Sequence, residues 1–380
     1  MKRVGIVTIH DSPNYGGSLQ AYALYKYIKD KGAECEIIDI RRPVHNDYIY
    51  ERHYSSYRNN PFSFRKKLKN TIKKLIGRKT NISQYTSDMA ERRFREFNST
   101  IRYSKPYCRL SALKKNPPVY DVYISGSDQL WNPTQPYCLE PYFLTFAPKG
   151  KVKISYATSV GITELQAKEK KDFKKWLSTY DAISVREKQA QKLLRSFVNK
   201  EISVVLDPTF LLDIDYWKSI ANFPEVNGGY ILIFLLSKNP EIVNYGIKLS
   251  EESKKKLIFI KAPHLPLNEN YIVDNNCGPK EFLGYIGNAD LVITDSFHCT
   301  VFSILMEAKN FATYISPTSK KGSRITDLLD LLGLSDHLLA TDYTSTYSDL
   351  EKTIINKELL RKKIISEQTK SRNFLDKWII

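Results

Sequence analysis

Residues 4–8 form an apolar, β-branched run that stops at a polar segment, residues 11–18, and gives way to helical spacing over residues 19–31, closed by Gly32. A second apolar run, residues 34–40, follows at once. This order predicts a βαβ unit, because parallel neighbours need a crossover, and it carries the Asn14-Tyr15-Gly16-Gly17 segment to the carboxyl edge of the sheet. Ligands of open α/β sheets bind at that edge. Residues 44–110 break the rhythm with tyrosine-rich and basic stretches and with Phe64, Leu68, Ile72 and Leu75 at helical spacing, which predicts a helical insertion. Strand-like runs resume at residues 119–125, 153–159, 182–185 and 203–206, and a second series follows at 230–236, 257–260, 291–294 and 311–315. The pattern predicts two α/β domains, residues 1–212 and 213–348. A helical segment over residues 349–380, with Leu350, Ile354, Ile355, Leu359 and Trp378 in its apolar pattern, is placed to pack back on the first domain.

At 380 residues the chain exceeds what one core usually serves, which supports the two-domain division. Hydrophobic content of 42% beside 26% charged residues is that of a soluble globular protein, and no window reaches the ~18 apolar residues of a membrane span. Met1-Lys2-Arg3 and the run after it resemble a signal peptide only superficially. The run ends at His10-Asp11 without a small-residue cleavage site and reads as a buried first strand. The five cysteines, Cys35, Cys108, Cys138, Cys277 and Cys299, are widely spread and form no CxxC pair, which argues against a disulfide framework or a zinc site and fits a reducing cytoplasm.

A net charge of +17 attracts polyanions. No RNA-binding aromatic motif, zinc finger or recognition-helix pattern accompanies it, so nucleic acid is not an expected partner. Residues 65–79 set apolar positions at helical spacing among dense positive charge, the pattern of a helix on an anionic membrane surface and equally of a solvated face packed on the domain. The first alternative places the protein at the inner face of the cell membrane.

Four segments carry candidate chemistry. Asn14 to Gln20 joins a strand to a helix, where Gly16 and Gly17 permit close backbone approach and the helix start offers free N–H donors to an anion or sugar; a plain turn is the alternative. In residues 120–133, Ser125, Asp128 and Asn132 offer hydrogen bonds to hydroxyls, and Trp131 offers either an aromatic face for a pyranose or a core side chain. Arg186, in Ser184-Val185-Arg186-Glu187, stands at a strand end where its fork can hold a carboxylate or phosphate, unless it only pairs with Glu187. The sharpest signal is Asp295-Ser296-Phe297-His298, which ends a buried strand and runs into an apolar helix. It offers His298 as a general acid or base, or as an uncharged donor to phosphate, against the plainer reading of a structural histidine. Cys299 reads as a buried spectator thiol.

Together, Asn14-Tyr15-Gly16-Gly17 with Gln20-Ala21, Ser125-Gly126-Ser127-Asp128 with Trp131-Asn132, Ser184-Val185-Arg186-Glu187, Leu206-Asp207-Pro208-Thr209 and Thr294-Asp295-Ser296-Phe297-His298 resemble the polysaccharide pyruvyl transferase family over roughly residues 1–335. The resemblance implies a GT-B-like α/β fold, two Rossmann-type domains facing a central cleft, acceptor side first and donor side second. It implies transfer of pyruvate from phosphoenolpyruvate, a co-substrate and not a cofactor, onto two hydroxyls of a hexose as a cyclic ketal in cell-surface polysaccharide biosynthesis. The acceptor would be a sugar or a lipid-linked oligosaccharide, and no metal is implied.

Carried over by motif, Arg186 is expected to hold the donor carboxylate or phosphate and His298 to donate a proton. Ser296, Ser323 and Arg324 fall on the donor side, and Asn14, Gly16, Gly17, Gln20, Ser125, Asp128, Trp131 and Asn132 on the acceptor side. Asp128 or Asp295 is the expected base for hydroxyl attack. Many members carry Arg-Leu-His where this chain has Ser296-Phe297-His298, so a donor-site cation is missing; Arg324, Lys320 or Lys321 is placed to restore it. Cys299 stands where related sequences often carry glycine. The same architecture serves glycosyl transfer from nucleotide sugars and non-catalytic glycan or lipid binding, which are the competing readings.

Overall fold

The structure is a computed structural model that describes residues 1–10, 13–43, 45, 47–49, 51, 58, 87–135, 137–262, 264–266, 268–316, 322–353 and 355–380. The helical periodicity at Phe64 to Leu75, the basic stretch 65–79, and Lys320 and Lys321 lie outside the described residues. Strands β1 (Arg3–Val7), β2 (Glu34–Ile37), β3 (Val122–Ser125) and β4 (Val152–Ser155) form a parallel sheet in the order β2-β1-β3-β4. Parallel bridges from Ile154 to Ala182 and from Thr158 to Val185 continue it toward β5 (Ile183–Val185), which pairs with β6 (Ile202–Val204). Bridges from Ile37 to Tyr103 and from Ile40 to Tyr107 add an edge segment beyond β2.

A second parallel sheet contains β7 (Tyr230–Phe234), β8 (Lys256–Ile260), β9 (Ile272–Asp274), β10 (Leu291–Thr294) and β11 (Phe311–Thr313), in the order β11-β10-β7-β8-β9. Every residue of β7 and β10 is buried, as central parallel strands covered on both faces require, so these strands read as unbroken apolar runs. Strand β9 is three residues in a polar stretch and carries no such signal. Strand order reverses beside β1 in the first sheet and beside β7 in the second, so the topological switch points of the two sheets lie at the β1/β3 and β7/β10 crevices.

Helix α1 (Tyr15–Asp30) begins four residues before the expected start because Asn14 caps it, its Oδ1 accepting from the Gly17 N–H at 3.0 Å. The described part of the insertion contributes α2 (Asp88–Asn98), capped by Ser87. In the second domain α3 (Pro279–Asn288) and α5 (Ser323–Leu332) pack on α4 (Phe297–Leu305), which lies on β10 and β11. The domains are in contact: Tyr15 of α1 stacks on Phe282 of α3 with ring centroids 4.3 Å apart and donates to the Cys277 carbonyl at 2.9 Å.

Helix α6 (Lys357–Ile379) packs back on the first domain. Ser371 Oγ accepts from the Leu206 N–H at 2.9 Å, Gln368 donates to the Phe210 carbonyl at 2.7 Å, and Tyr27 donates to Asp376 at 2.9 Å. Its buried face is Leu360, Ile364, Leu375 and Ile379; Leu359, expected on that face, points to solvent because the buried stripe is set one residue on. Among the described residues no helix is long and apolar enough to cross a membrane.

Candidate active site

The first turns of α1 and α4 meet across the domain junction. A Cβ built on Gly16 would lie 2.1 Å from His298 Nδ1, so glycine at 16 is what lets the histidine ring sit against the α1 backbone. Gly16 and Gly17 are therefore first-turn helix residues and not the loop expected from the motif. Two helix starts converging on one point direct positive potential at it.

Asp207 sits at the centre of the chemistry. It caps the short turn Pro208–Leu211, its Oδ1 accepting from Thr209 N and Oγ1 at 3.1 and 2.8 Å. Its Oδ2 accepts from Arg186 Nη1 at 2.6 Å and from Ser127 Oγ at 3.3 Å, and lies 3.6 Å from His298 Nε2. Burial alone would raise this carboxyl, but the His298 and Arg186 groups outweigh it and hold Asp207 well below the usual carboxylate range. Arg186 also approaches Asp128 at 3.5 Å and Glu187 at 3.9 Å, with its side chain 2% exposed. Glu187 is raised above its ordinary value by burial, against the pull of Arg186, and accepts from Ser159 Oγ at 2.7 Å.

Asp128 is half-buried and takes φ of 74°, a left-handed conformation that costs a non-glycine residue energy and tends to be held at functional positions. Gly126 before it has no room for a side chain: a Cβ would lie 1.9 Å from the Tyr156 carbonyl oxygen.

The second domain brings Arg324 to the same place. Its guanidinium carbon lies 5.6 Å from the centre of the Phe297 ring, while that of Arg186 lies 4.2 Å from it. One ring is thus flanked by two guanidiniums, one from each domain. The Gln129 side-chain amide lies 3.2 Å from both Arg324 Nη atoms, and turning that amide over would set its oxygen toward them. Burial and then repulsion from Arg186 push Arg324 down to about 10, against the opposite pull of Glu187, Asp128 and Asp207. Arg324 Nε and His298 Nε2 are both shielded from solvent and make no hydrogen bond. His298 Nε2 still faces Asp207 at 3.6 Å, whereas a buried guanidinium N–H without an acceptor is costly, and an anion between the domains would satisfy it.

Of the expected site residues, the structure gathers Gly16, Asp128, Arg186, His298 and Arg324. Ser296 caps α4, its Oγ accepting from Cys299 N at 3.3 Å. Ser323 starts α5. Asn14 is spent on the α1 cap. Four of the residues expected on the acceptor side are buried with protein partners. Gln20 makes bonds to Thr8, Ile9, Gly17 and Ser127, and Ser125 donates to the Tyr142 carbonyl at 2.6 Å. Asn132, fully buried, accepts from Thr134 N at 2.9 Å. Trp131 is 0% exposed, stacks on Phe143 at 5.0 Å and donates to the Tyr142 carbonyl at 3.0 Å. No face of it is open to a sugar, and Trp131→Ala is expected to lower unfolding free energy by about 3–5 kcal/mol in urea titrations, where an exposed platform would change it little.

Asp295 accepts from the Leu236 and Ser237 amides at 2.6 and 3.0 Å and ties down the loop after β7, leaving Asp128 as the carboxylate of this pair in the cluster. Cys299 is buried, which pushes its thiol up to about 12. No chemical role is read from the sequence for Asp207, although Leu206-Asp207-Pro208-Thr209 is one of the segments that carry the family resemblance. Among the described residues no group of three or more His, Cys, Asp and Glu side chains is placed to hold a metal.

A sequence model of polysaccharide pyruvyl transferases matches residues 14–317, a span that includes Asn14, Asp128, Arg186, Asp207 and His298. The chain belongs to the polysaccharide pyruvyl transferase family. No curated protein matches it. A Listeria monocytogenes protein assigned as a UDP-N-acetylglucosamine 2-epimerase is similar in structure, at 12% identity and TM-score 0.51 over 98% of this chain and 95% of that one. The Methanocaldococcus jannaschii UDP-GlcNAc 2-epimerase gives 12% and 0.47 over 96% and 92%, and Anabaena HepE, solved with UDP and glucose, gives 7% and 0.49 over 99% and 100%. At these identities the likeness concerns the fold alone. This pyruvyl transferase family member is an α/β protein of GT-B type, with its cluster where two parallel sheets face each other.

Proposed function

We propose that the protein transfers pyruvate from phosphoenolpyruvate to a hexose diol, with the anionic donor seated between Arg186 and Arg324. The observation that carries this is the pair of guanidiniums, one from each domain, flanking Phe297 beside a His298 Nε2 that has no hydrogen-bond partner. Arg186 is largely occupied by Asp207 and Asp128, so the main grip on the donor falls to Arg324, which stands in for the arginine that the Ser296-Phe297-His298 segment lacks.

In this scheme His298 delivers a proton to C3 of phosphoenolpyruvate and makes C2 electrophilic. One sugar hydroxyl oxygen bonds to C2, the C2–O bond to phosphate breaks, and the second hydroxyl oxygen closes the ketal. Two hydroxyl protons are released; one balances the proton now in the methyl group and the other leaves with phosphate. Asp128 is the carboxylate placed to accept a hydroxyl proton, and the guanidiniums stabilise charge moving onto the departing phosphate.

Calorimetry with phosphoenolpyruvate and with UDP-, GDP- and CMP-sugars tests the donor without needing an acceptor. Wild-type protein should bind phosphoenolpyruvate selectively, and Arg324→Gln should weaken it about 10- to 100-fold, the loss of a charge-assisted pair. Selective binding of a nucleotide sugar would move the protein to glycosyl transfer.

A further inference from the structure

A cavity of about 510 Å³ opens in the first domain beyond the ends of β1 and β2, with Phe94 and Asn98 of α2 on its wall. This volume is within the ~300–1,000 Å³ usual for small-molecule sites. His10 follows β1, Asp39 follows β2, and Tyr103 lies on the added edge segment, so the cavity occupies the carboxyl edge of the sheet. The sequence motifs single out none of these three residues.

The wall is largely apolar, and its charged groups are balanced. His10 is buried, with Nδ1 3.0 Å from the Thr8 carbonyl oxygen and Nε2 3.3 Å from Asp39 Oδ1. Asp39 Oδ2 lies 3.5 Å from Arg41, and Glu91 lies 3.7 Å from Arg95. Each carboxylate lining the cavity thus stands beside a cation, on a chain whose net charge is +17. Such a wall offers hydrogen bonds without a net charge to attract an ion, which suits hydroxyls. The half-buried Tyr103 ring, 5.3 Å from the His10 ring, adds an aromatic surface of the kind that packs on pyranose C–H groups.

The cavity is also joined to the charge cluster. Pro13 lines it, and Gly16, three residues on, touches His298, a separation of at most about 10 Å of chain. A line of buried hydrogen bonds connects the two: His10 to the Thr8 carbonyl, Gln20 to Thr8 Oγ1 at 2.8 Å, Ser127 N to Gln20 Oε1 at 3.2 Å, and Ser127 Oγ to Asp207 at 3.3 Å.

We infer that this cavity holds an uncharged sugar unit, with Tyr103 as its stacking face and the Asp39–Arg41 pair, which His10 holds in place, as its hydroxyl-binding wall. Its role as the acceptor site rests on the pyruvyl-transfer reading; the binding of a neutral sugar does not. The test is saturation-transfer NMR on the full chain with methyl glycosides of glucose, galactose, mannose and N-acetylglucosamine, with glucuronate and glucose 1-phosphate as charged controls. At least one neutral glycoside should receive saturation through its ring C–H protons. Tyr103→Ala should weaken that binding about tenfold, Tyr103→Phe should restore it, and phosphoenolpyruvate affinity should be the same in all three proteins. Absence of binding by every neutral glycoside, binding of the charged sugars only, or wild-type binding by Tyr103→Ala would overturn the inference. Glycoside binding without phosphoenolpyruvate binding would support the cavity and sink the donor assignment instead.

Discussion

His298→Gln is expected to lower turnover with phosphoenolpyruvate by about 10²- to 10⁴-fold, the range contributed by a positioned general acid, while leaving donor affinity within a few-fold of wild type. The substitution removes no hydrogen bond at Nε2, because that atom makes none. The residue is 8% exposed and held against Gly16, and its one charged neighbour at Nε2 is Asp207 at 3.6 Å, which the glutamine amide can still face. Initial rates of phosphate release, read beside calorimetric donor binding, separate kcat from affinity. Retention of full turnover would remove His298 from the chemistry. Gly16→Ala reaches the same ring without altering it: the new Cβ must displace the imidazole, so turnover should fall in parallel, and an unaffected Gly16→Ala enzyme would show that ring placement is unimportant.

Asp207→Asn is expected to lower unfolding free energy by about 3–5 kcal/mol, because it leaves the Arg186 cation buried without its closest counter-charge. The pH dependence identifies the cause. Asp207 is held below its ordinary value, so its contribution is fully present above about pH 4, where an unfolded aspartate ionises, and is lost as pH falls from there toward the lower folded value. Glu187 works in the opposite sense: burial raises it, so the folded state takes up its proton first and gains stability as pH descends through that raised value. Urea midpoints measured from pH 7 to pH 3 should therefore rise slightly and then fall in wild type. Asp207→Asn should keep the rise and lose much of the fall. An unchanged acid limb in the variant would mean that Asp207 carries no special charge in the folded protein.

Local pattern accounts for much of the architecture. The apolar runs that became β1, β7 and β10 are buried on every side or nearly so, and their composition announces this without any knowledge of neighbours. His298, in the first turn of the helix that follows β10, is placed by such a run. The three-residue β9 and the early start of α1 were not visible in this way. One is too short for periodicity, and the other depends on a side chain, Asn14, turning back to cap its own helix.

The sequence by itself determined the alternation of strands and helices, the family motifs and the arginine and histidine worth following, because each is a property of residues close together in the chain. Only the tertiary structure decided what those polar groups face. Trp131 and Gln20 have the chemistry of ligand-binding residues and spend it on the interior, while Arg324, unremarkable in its own segment, arrives beside Arg186 from the other domain with a nitrogen left over. Asp207, Ser127, Arg186 and His298 come from four separate segments, and their grouping reflects how two sheets are set edge to edge. A hydroxyl, amide or guanidinium is satisfied equally well by protein or by substrate, and which of the two it meets is settled by packing between residues far apart in the chain.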